Sequence, residues 1–316
     1  MSVQNKSVVL PHLAVLSANL LFGINFSMVK LISPSLIAPA ALNLVRVIVT
    51  SLLFWILFLF QKNSVRIQKK DRTRLALCAL FGVTINQLFF IKGLTLSTPI
   101  HGALLILATP VFILLFSLLM RTESFTRSKG IGLILAICGG IVLIRARSDS
   151  AIGSNIFWGD ILITINAISY AIYFLLAKPL IQEYGPLPVI RTAFSLGFLM
   201  MLPFCWTDFI NTKWTLFHIQ SIAALAFIVV GSTFFAYLFT AYGLHRLSPS
   251  ATGSYIYVQP VFSAAVSVLF LGEEPALYKL LAAFLIFTGV FLINRQQLKK
   301  LKKPESDSVT APSSLR

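Results

Sequence analysis

Arg46 is the residue of this sequence that most needs a chemical reason. It lies about ten residues inside an apolar stretch, Leu36–Phe60, a depth of ~12–15 Å on a helix rising 1.5 Å per residue. A guanidinium that deep cannot easily reach water by stretching, so it must face protein or a water-filled cavity. Two uses fit. It could line a solute pathway and attract a carboxylate or phosphate, or it could be a structural cation held by backbone carbonyls at a helix break. The residues alone leave both open. Asn25, Asn43, Asn86, Gln87, Asn166 and Gln259 also fall inside apolar stretches. Any one of these amides is explained by a hydrogen bond between helices; together they favour a central polar cavity. Tyr170, Tyr173, Tyr237, Tyr255 and Tyr257 read first as packing or interface anchors, though small-molecule pockets also combine such rings with a few polar groups. The candidate substrate-binding set is Asn25, Arg46, Asn86, Gln87, Asn166, Tyr170, Tyr237, Tyr257 and Gln259. Lys30 and Lys92, near the ends of their stretches, fit side chains that snorkel to the interface. Pro110 and Pro260 cannot donate a backbone hydrogen bond, and read as kinks that could also free a carbonyl one turn earlier.

Other chemistry is missing. Asp71, Glu123, Asp149, Asp160, Glu183, Asp208, Glu273, Glu274, Glu305 and Asp307 all sit in loops, tails or the ends of apolar stretches. A proton relay built on a carboxylate in mid-membrane has no residue to use. His12, His101, His218 and His245 are unclustered, and Cys78, Cys138 and Cys205 have no paired spacing. Neither a zinc site nor a disulfide framework is suggested. No HExxH, paired-Asp or Gly-x-Ser-x-Gly arrangement occurs. The expectation is a protein without catalytic residues, metal or cofactor.

The elements that must position these residues are membrane spans. The chain is 57% hydrophobic and only 11% charged, where a soluble domain keeps roughly a quarter of its residues charged. Ten apolar runs are predicted as helices: Leu10–Ile32, Leu36–Phe60, Leu75–Leu96, Pro99–Met120, Gly130–Ile144, Phe157–Leu176, Pro188–Trp206, Ile219–Leu244, Ala251–Leu271 and Ala276–Ile293. Crossing the ~30 Å hydrocarbon layer takes about 20 apolar residues as a helix, and the runs show no strand-like alternation. The first run carries Asn19, Asn25 and Lys30 and lacks a small-x-small cleavage site, so it reads as a span and not a signal peptide. A net charge of +16 would suggest nucleic acid in a soluble protein. Here the basic residues sort by side. With the N-terminus inside, Lys6, Lys62, Arg66, Lys69, Lys70, Arg72, Arg74, Arg121, Arg127, Lys129, Lys178, Arg246 and the tail from Arg295 are cytoplasmic, while Arg145, Arg147, Lys213 and Lys279 are external. That bias places both termini in the cytoplasm and makes the basic tail an orientation signal in contact with anionic lipid, with no nucleic-acid partner.

The chain also repeats. At an offset of 150 residues Gly93-Leu94, Pro99, Ile106, Pro110-Val111-Phe112, Ser117, Leu119, Glu123, Lys129, Leu135 and Gly139 fall on identical residues, from Gly243-Leu244 to Gly289. Earlier parts correspond at an offset of 148, Phe22-Gly23 with Tyr170-Ala171 and Lys30 with Lys178. Five spans per unit is odd, so the second copy enters from the opposite side. Inverted repeats mark many secondary transporters. The predicted fold is therefore an all-α polytopic membrane protein of ten transmembrane helices in two inverted five-helix repeats. Residues 1–9 form a cytoplasmic N-terminus, 10–146 the first repeat, 157–294 the second and 295–316 a basic cytoplasmic tail.

These segments resemble the drug/metabolite transporter superfamily, specifically its EamA-type ten-helix members. The resemblance rests on Asn19-x-x-Phe22-Gly23-x-Asn25-Phe26, Arg46, Ala103-Leu104-Leu105 through Thr109-Pro110-Val111-Phe112, and Gly231-Ser232-Thr233 through Tyr237. Leu247-Ser248-Pro249-Ser250-Ala251 and Val258-Gln259-Pro260-Val261-Phe262 through Leu271-Gly272-Glu273 extend it. One departure is Arg121-Thr122-Glu123 where the second copy has Leu271-Gly272-Glu273; a basic residue there suits a cytoplasmic loop. The resemblance implies a bacterial inner-membrane secondary transporter, monomer or homodimer. It would export or exchange a small-molecule substrate such as an amino acid by alternating access. The alternatives are a non-transporting receptor, channel or scaffold subunit and, further off, a membrane-embedded enzyme.

Overall fold

The computed structural model describes residues 3–61, 67–97, 105–145, 155–270 and 277–302. Glu273, His101, Pro99 and the segments Ala103-Leu104 and Leu271-Gly272-Glu273 lie outside the described residues, as does the tail from Lys303. Every regular element among the described residues is helical. In chain order they are α1 (Val3–Ile32), α2 (Pro39–Leu59), α3 (Lys69–Leu96), α4 (Thr109–Leu119), α5 (Arg127–Arg145), α6 (Ile156–Tyr184), α7 (Pro186–Ile210) and α8 (Ile219–Arg246). There follow α9, made of Pro249–Ser254, a 3-10 turn Tyr255–Val258 and Gln259–Phe270, and α10 (Leu277–Lys302). Six of them, α1, α2, α3, α6, α7 and α8, contain segments long and apolar enough to cross a membrane.

The helix ends follow from local chemistry. Prolines open α2, α4, α7 and α9, where the first turn has no hydrogen bond to lose. The Asn155 side chain caps α6 by accepting from the Trp158 N–H, and the Ser248 hydroxyl caps α9 by accepting from that of Ala251. Gly185, at φ 82°, lets α6 turn directly into α7.

The helices pack in pairs: α5 on α10, α2 on α7, α3 on α6 and α1 on α8. An aromatic core joins them, in which the Phe54 ring lies 5.3 Å from Phe194 and 4.9 Å from Phe234. The outer surface is apolar as well: Leu59, Phe60, Leu119, Phe204, Ile219, Leu277 and Phe284 are all exposed. Side chains of this kind facing outward all round a bundle need lipid, not water. The chain is an integral membrane protein.

Two helices contain π-helical stretches, Leu80–Thr84 in α3 and Phe227–Phe235 in α8. The wider turn rotates the residues that follow it, and such bulges concentrate at functional sites. Here each precedes polar residues that face the middle of the bundle.

Candidate functional site

Between the helices lies a cavity with about 100 Å³ open to the centres of water molecules, several times what one ordered water needs. α1 contributes Phe22 and Asn25, α2 Arg46, and α3 Asn86, Gln87 and Phe90. Ile106 and Thr109 come from the entry to α4, Asn166 and Tyr170 from α6, Tyr237 from α8, and Ile256 and Gln259 from α9. The spacing within each helix explains the set. Phe22/Asn25, Ile106/Thr109 and Ile256/Gln259 are three residues apart, and Asn86/Phe90 and Asn166/Tyr170 four, so each pair shares one helical face.

Eight of the nine residues singled out in the sequence therefore meet at this cavity. Tyr257 does not. It is fully buried in a cluster with Leu107, Ala136, Val258, Ile286 and Val290, and its hydroxyl has no partner among the described residues. Being one residue past Ile256 in the 3-10 turn, it points about 120° away, toward α5 and α10. Phe22, Phe90, Ile106, Thr109 and Ile256 join the lining without being among the candidate binding residues of the sequence; the three- and four-residue spacings are the signal that finds them.

Arg46 is 5% exposed. Its Nε donates to the Thr233 hydroxyl at 3.0 Å, and that hydroxyl donates in turn to the Ile228 carbonyl at 2.7 Å. The π-helical stretch of α8 thus supplies an acceptor for Arg46. Thr233 also brings its neighbour Ser232 into use, whose hydroxyl donates to Asn25 Oδ1 at 2.5 Å. The only salt bridge among the described residues is Lys129–Glu123, so Arg46 has no carboxylate partner there. No hydrogen bond from a described residue occupies the far end of its guanidinium, and the cavity lining contains no other charge. A buried, unpaired cation beside a cavity is costly, and an anionic group entering the cavity would relieve it.

The amides divide by role. Asn166 Nδ2 donates to the Asn86 carbonyl at 2.6 Å, and the Tyr237 hydroxyl donates to Asn86 Oδ1 at 3.3 Å. Gln259 Nε2 donates to Asn19 Oδ1 at 2.7 Å. Asn43 Nδ2 donates to the Gln87 carbonyl at 3.0 Å and lies behind the lining. Among the described residues, neither amide atom of Gln87 has a partner of hydrogen-bonding geometry, nor does Asn43 Oδ1. Gln87 is the amide with capacity to spare for a ligand. The rings of Tyr237 and Phe194 meet edge to face at 4.9 Å, and those of Tyr170 and Tyr173 stack at 5.8 Å, forming an aromatic wall beside the polar groups. Lys92 is exposed. Among the described residues no cluster of His, Cys, Asp and Glu could hold a metal ion.

A lipid-embedded helical bundle around a small polar cavity is the architecture of a membrane carrier, and the comparisons agree. The chain belongs to the EamA-like transporter family, whose profile matches it twice, over residues 9–145 and 157–295. It is 26% identical over 276 residues to an uncharacterized transporter of Archaeoglobus fulgidus, covering 87% of this chain and 95% of that one. It is 25% identical over 246 residues to a probable terminal-alkyne amino-acid exporter of Streptantibioticus cattleyicolor, covering 75% and 78% of the two chains. The uncharacterized inner membrane transporter YicL of Salmonella typhimurium is 27% identical over 252 residues, covering 76% and 78%. A solved crystal structure shares the fold with a TM-score of 0.75 at 18% identity, over 95% of this chain and 99% of that one. The protein is a membrane transporter. Its family and these relatives are named for transport.

Proposed function

We propose that this chain is a secondary transporter of ten membrane-crossing helices in two inverted halves. It moves a small metabolite bearing a carboxylate, such as an amino acid, by alternating access, with both termini in the cytoplasm of a bacterial inner membrane. The observation that carries this reading is that the cavity is lined by residues equivalent in the two halves. Gln87 and Tyr237, Ile106 and Ile256, and Thr109 and Gln259 are 150 residues apart, Phe22 and Tyr170 are 148 apart, and all of them line it. A site on the pseudo-two-fold axis of an inverted repeat is where two packings related by that axis would expose a solute in turn.

Packing supports the same relation. A Cβ on Gly139 would lie 2.8 Å from the Ala282 carbonyl and 2.8 Å from Ile286 Cγ1, while one on Gly289 would meet Ala136, at N 2.7 Å and Cβ 2.9 Å. Gly139/Gly289 and Ala136/Ile286 are themselves 150 apart, so α5 and α10 cross at equivalent glycines. Gly93 lies against Gly159 and Ile163 of α6, and Gly243 against Pro11 and Val15 of α1; the two contacts exchange under the same offsets. The π-helical stretches of α3 and α8, and the breaks in front of Pro110 and Pro260, also correspond.

A single cysteine in the cavity tests this reading. Phe90→Cys, in a background where exposed Cys138 is Ser, should react with a membrane-impermeant maleimide in both right-side-out and inverted vesicles. Reaction from one side only in the folded protein would end the alternating-access reading.

A further inference from the structure

We infer that the Glu123 carboxylate is a latch that holds the cytoplasmic side of the cavity shut by tying the end of α4 to the start of α9. The inference rests on the alternating-access reading above. Glu123 lies in the turn after α4, in the first half of the chain, yet each of its oxygens accepts a hydrogen bond from the second half. Oε1 accepts the Ser250 backbone N–H at 3.0 Å and Oε2 accepts the Ser250 hydroxyl. Lys129, at the start of α5, completes the cluster with its Nζ 2.6 Å from Oε2. The Glu123 side chain is 7% exposed. Burial pushes its pKa up, but the hydrogen bonds from Lys129 and Ser250 outweigh this and hold the carboxyl below the usual glutamate range. It stays ionised and bound.

The latch closes on a rigid block. Lys178 of α6 donates to the carbonyls of Leu244, His245 and Leu247 at 2.7, 3.2 and 2.9 Å, which fixes the end of α8 just before Ser248 caps α9. Beneath it Val15, Leu247 and Ala251 form a buried apolar plug, and His12 of α1 meets the Tyr255 hydroxyl of α9 at 2.7 Å. In a topology with both termini inside, Glu123, Lys178, Leu247, Ser250 and His12 all lie on the cytoplasmic side of the cavity. Solute leaving toward the cytoplasm must part α4 from α9, and the Glu123–Ser250 hydrogen bonds join those two helices. The backbone is shaped for the contact. Arg121 ends α4 at φ 54°, a left-handed conformation uncommon for a residue with a side chain, and this turns the loop back so that Glu123 meets α9.

The cavity cysteine also reads out this latch. Charge-assisted hydrogen bonds are roughly twice as strong as neutral ones, so their loss should shift a two-state equilibrium about tenfold. In the Phe90→Cys protein, Glu123→Ala should raise the maleimide rate from the cytoplasmic side about tenfold and lower the external rate. Unchanged rates from both sides in the folded variant overturn the latch while leaving alternating access intact. A parent that labels from one side only overturns both. If Glu123→Ala does not reach the membrane, Ser250→Ala and Glu123→Gln are read in its place, the first removing the hydroxyl that Oε2 accepts and the second the charge. Each should raise the maleimide rate from the cytoplasmic side above that of the Phe90→Cys parent, and unchanged rates in both folded variants overturn the proposal.

Discussion

Arg46→Gln separates the two uses that the sequence leaves open for this residue. The substitution keeps a hydrogen-bonding end and removes the charge. Arg46 is 5% exposed, its one hydrogen bond among the described residues goes to Thr233, and no described carboxylate pairs with it. Two effects follow, with opposite signs. The folded protein sheds a buried cation that nothing neutralises, and it loses one hydrogen bond of about 1 kcal/mol; thermal stability without ligand should hold or rise. Binding of a carboxylated solute loses a charge-assisted contact in a partly dehydrated cavity, about 2–4 kcal/mol, which is a roughly 30- to 700-fold weaker Kd. A neutral amide of the same solute should change by less than about threefold, since it gains little from the charge in the first place. The assay is a thermal-shift titration of purified protein with each member of such a pair. Equal losses for the acid and the amide, or a variant that unfolds without ligand, would refute the reasoning and leave Arg46 as a structural cation. Unchanged affinity for the acid would remove it from the site.

Further outcomes follow from the same geometry. Gly289→Val should lower the midpoint of thermal unfolding, because a Cβ there would meet Ala136 N at 2.7 Å. Overpacking of this kind costs about 1–3 kcal/mol, and Gly139→Val should cost a similar amount if the two halves are equivalent. Lys178→Met strands the three carbonyls that end α8 and should destabilise by about 2–3 kcal/mol in the same measurement. The depressed pKa of Glu123, which faces Lys129 and Ser250 with Lys178 nearby, makes its contribution fully present above the ordinary glutamate value of about 4.3. It is lost only as pH falls through the lower folded value. The ratio of cytoplasmic to external labelling of the cavity cysteine, in which the fall of the reactive thiolate with pH cancels, should therefore stay flat from neutral pH down to about 5, and a rise already between pH 7 and 6 would contradict this. Alkaline phosphatase fused after Lys303 should be inactive, as the distribution of basic residues requires.

The six long spans in α1, α2, α3, α6, α7 and α8 are legible because each needs a run of apolar residues, and polar residues inside such runs announce themselves. That is why Asn25, Arg46, Asn86 and Asn166 could be named without coordinates. The apolar half of the lining was not legible in the same way. Phe22 and Ile106 look like any lipid-facing residue until a polar neighbour three positions on fixes their face. Tyr257 shows the converse, a ring of the right type one position out of phase. The π-helical stretches left no trace in composition, since one extra residue per turn alters geometry and not hydropathy. Without them nothing pointed to Thr233 as the partner of Arg46. Glu123 was visible as a repeated residue, but its contact with Ser250 spans 127 positions and depends on how the halves dock.

Counterflow in proteoliposomes tests the central claim most directly. Vesicles containing the purified protein are loaded with an unlabelled carboxylated solute that stabilises it, then diluted into a trace of the same solute carrying label. An alternating-access carrier should draw label inward to a transient overshoot above the outside concentration, saturate with solute, and lose the overshoot in Arg46→Gln. Label that equilibrates without overshoot, at a rate linear in concentration, would mean a channel. Label that does not enter at all, for any solute that binds, would contradict the account.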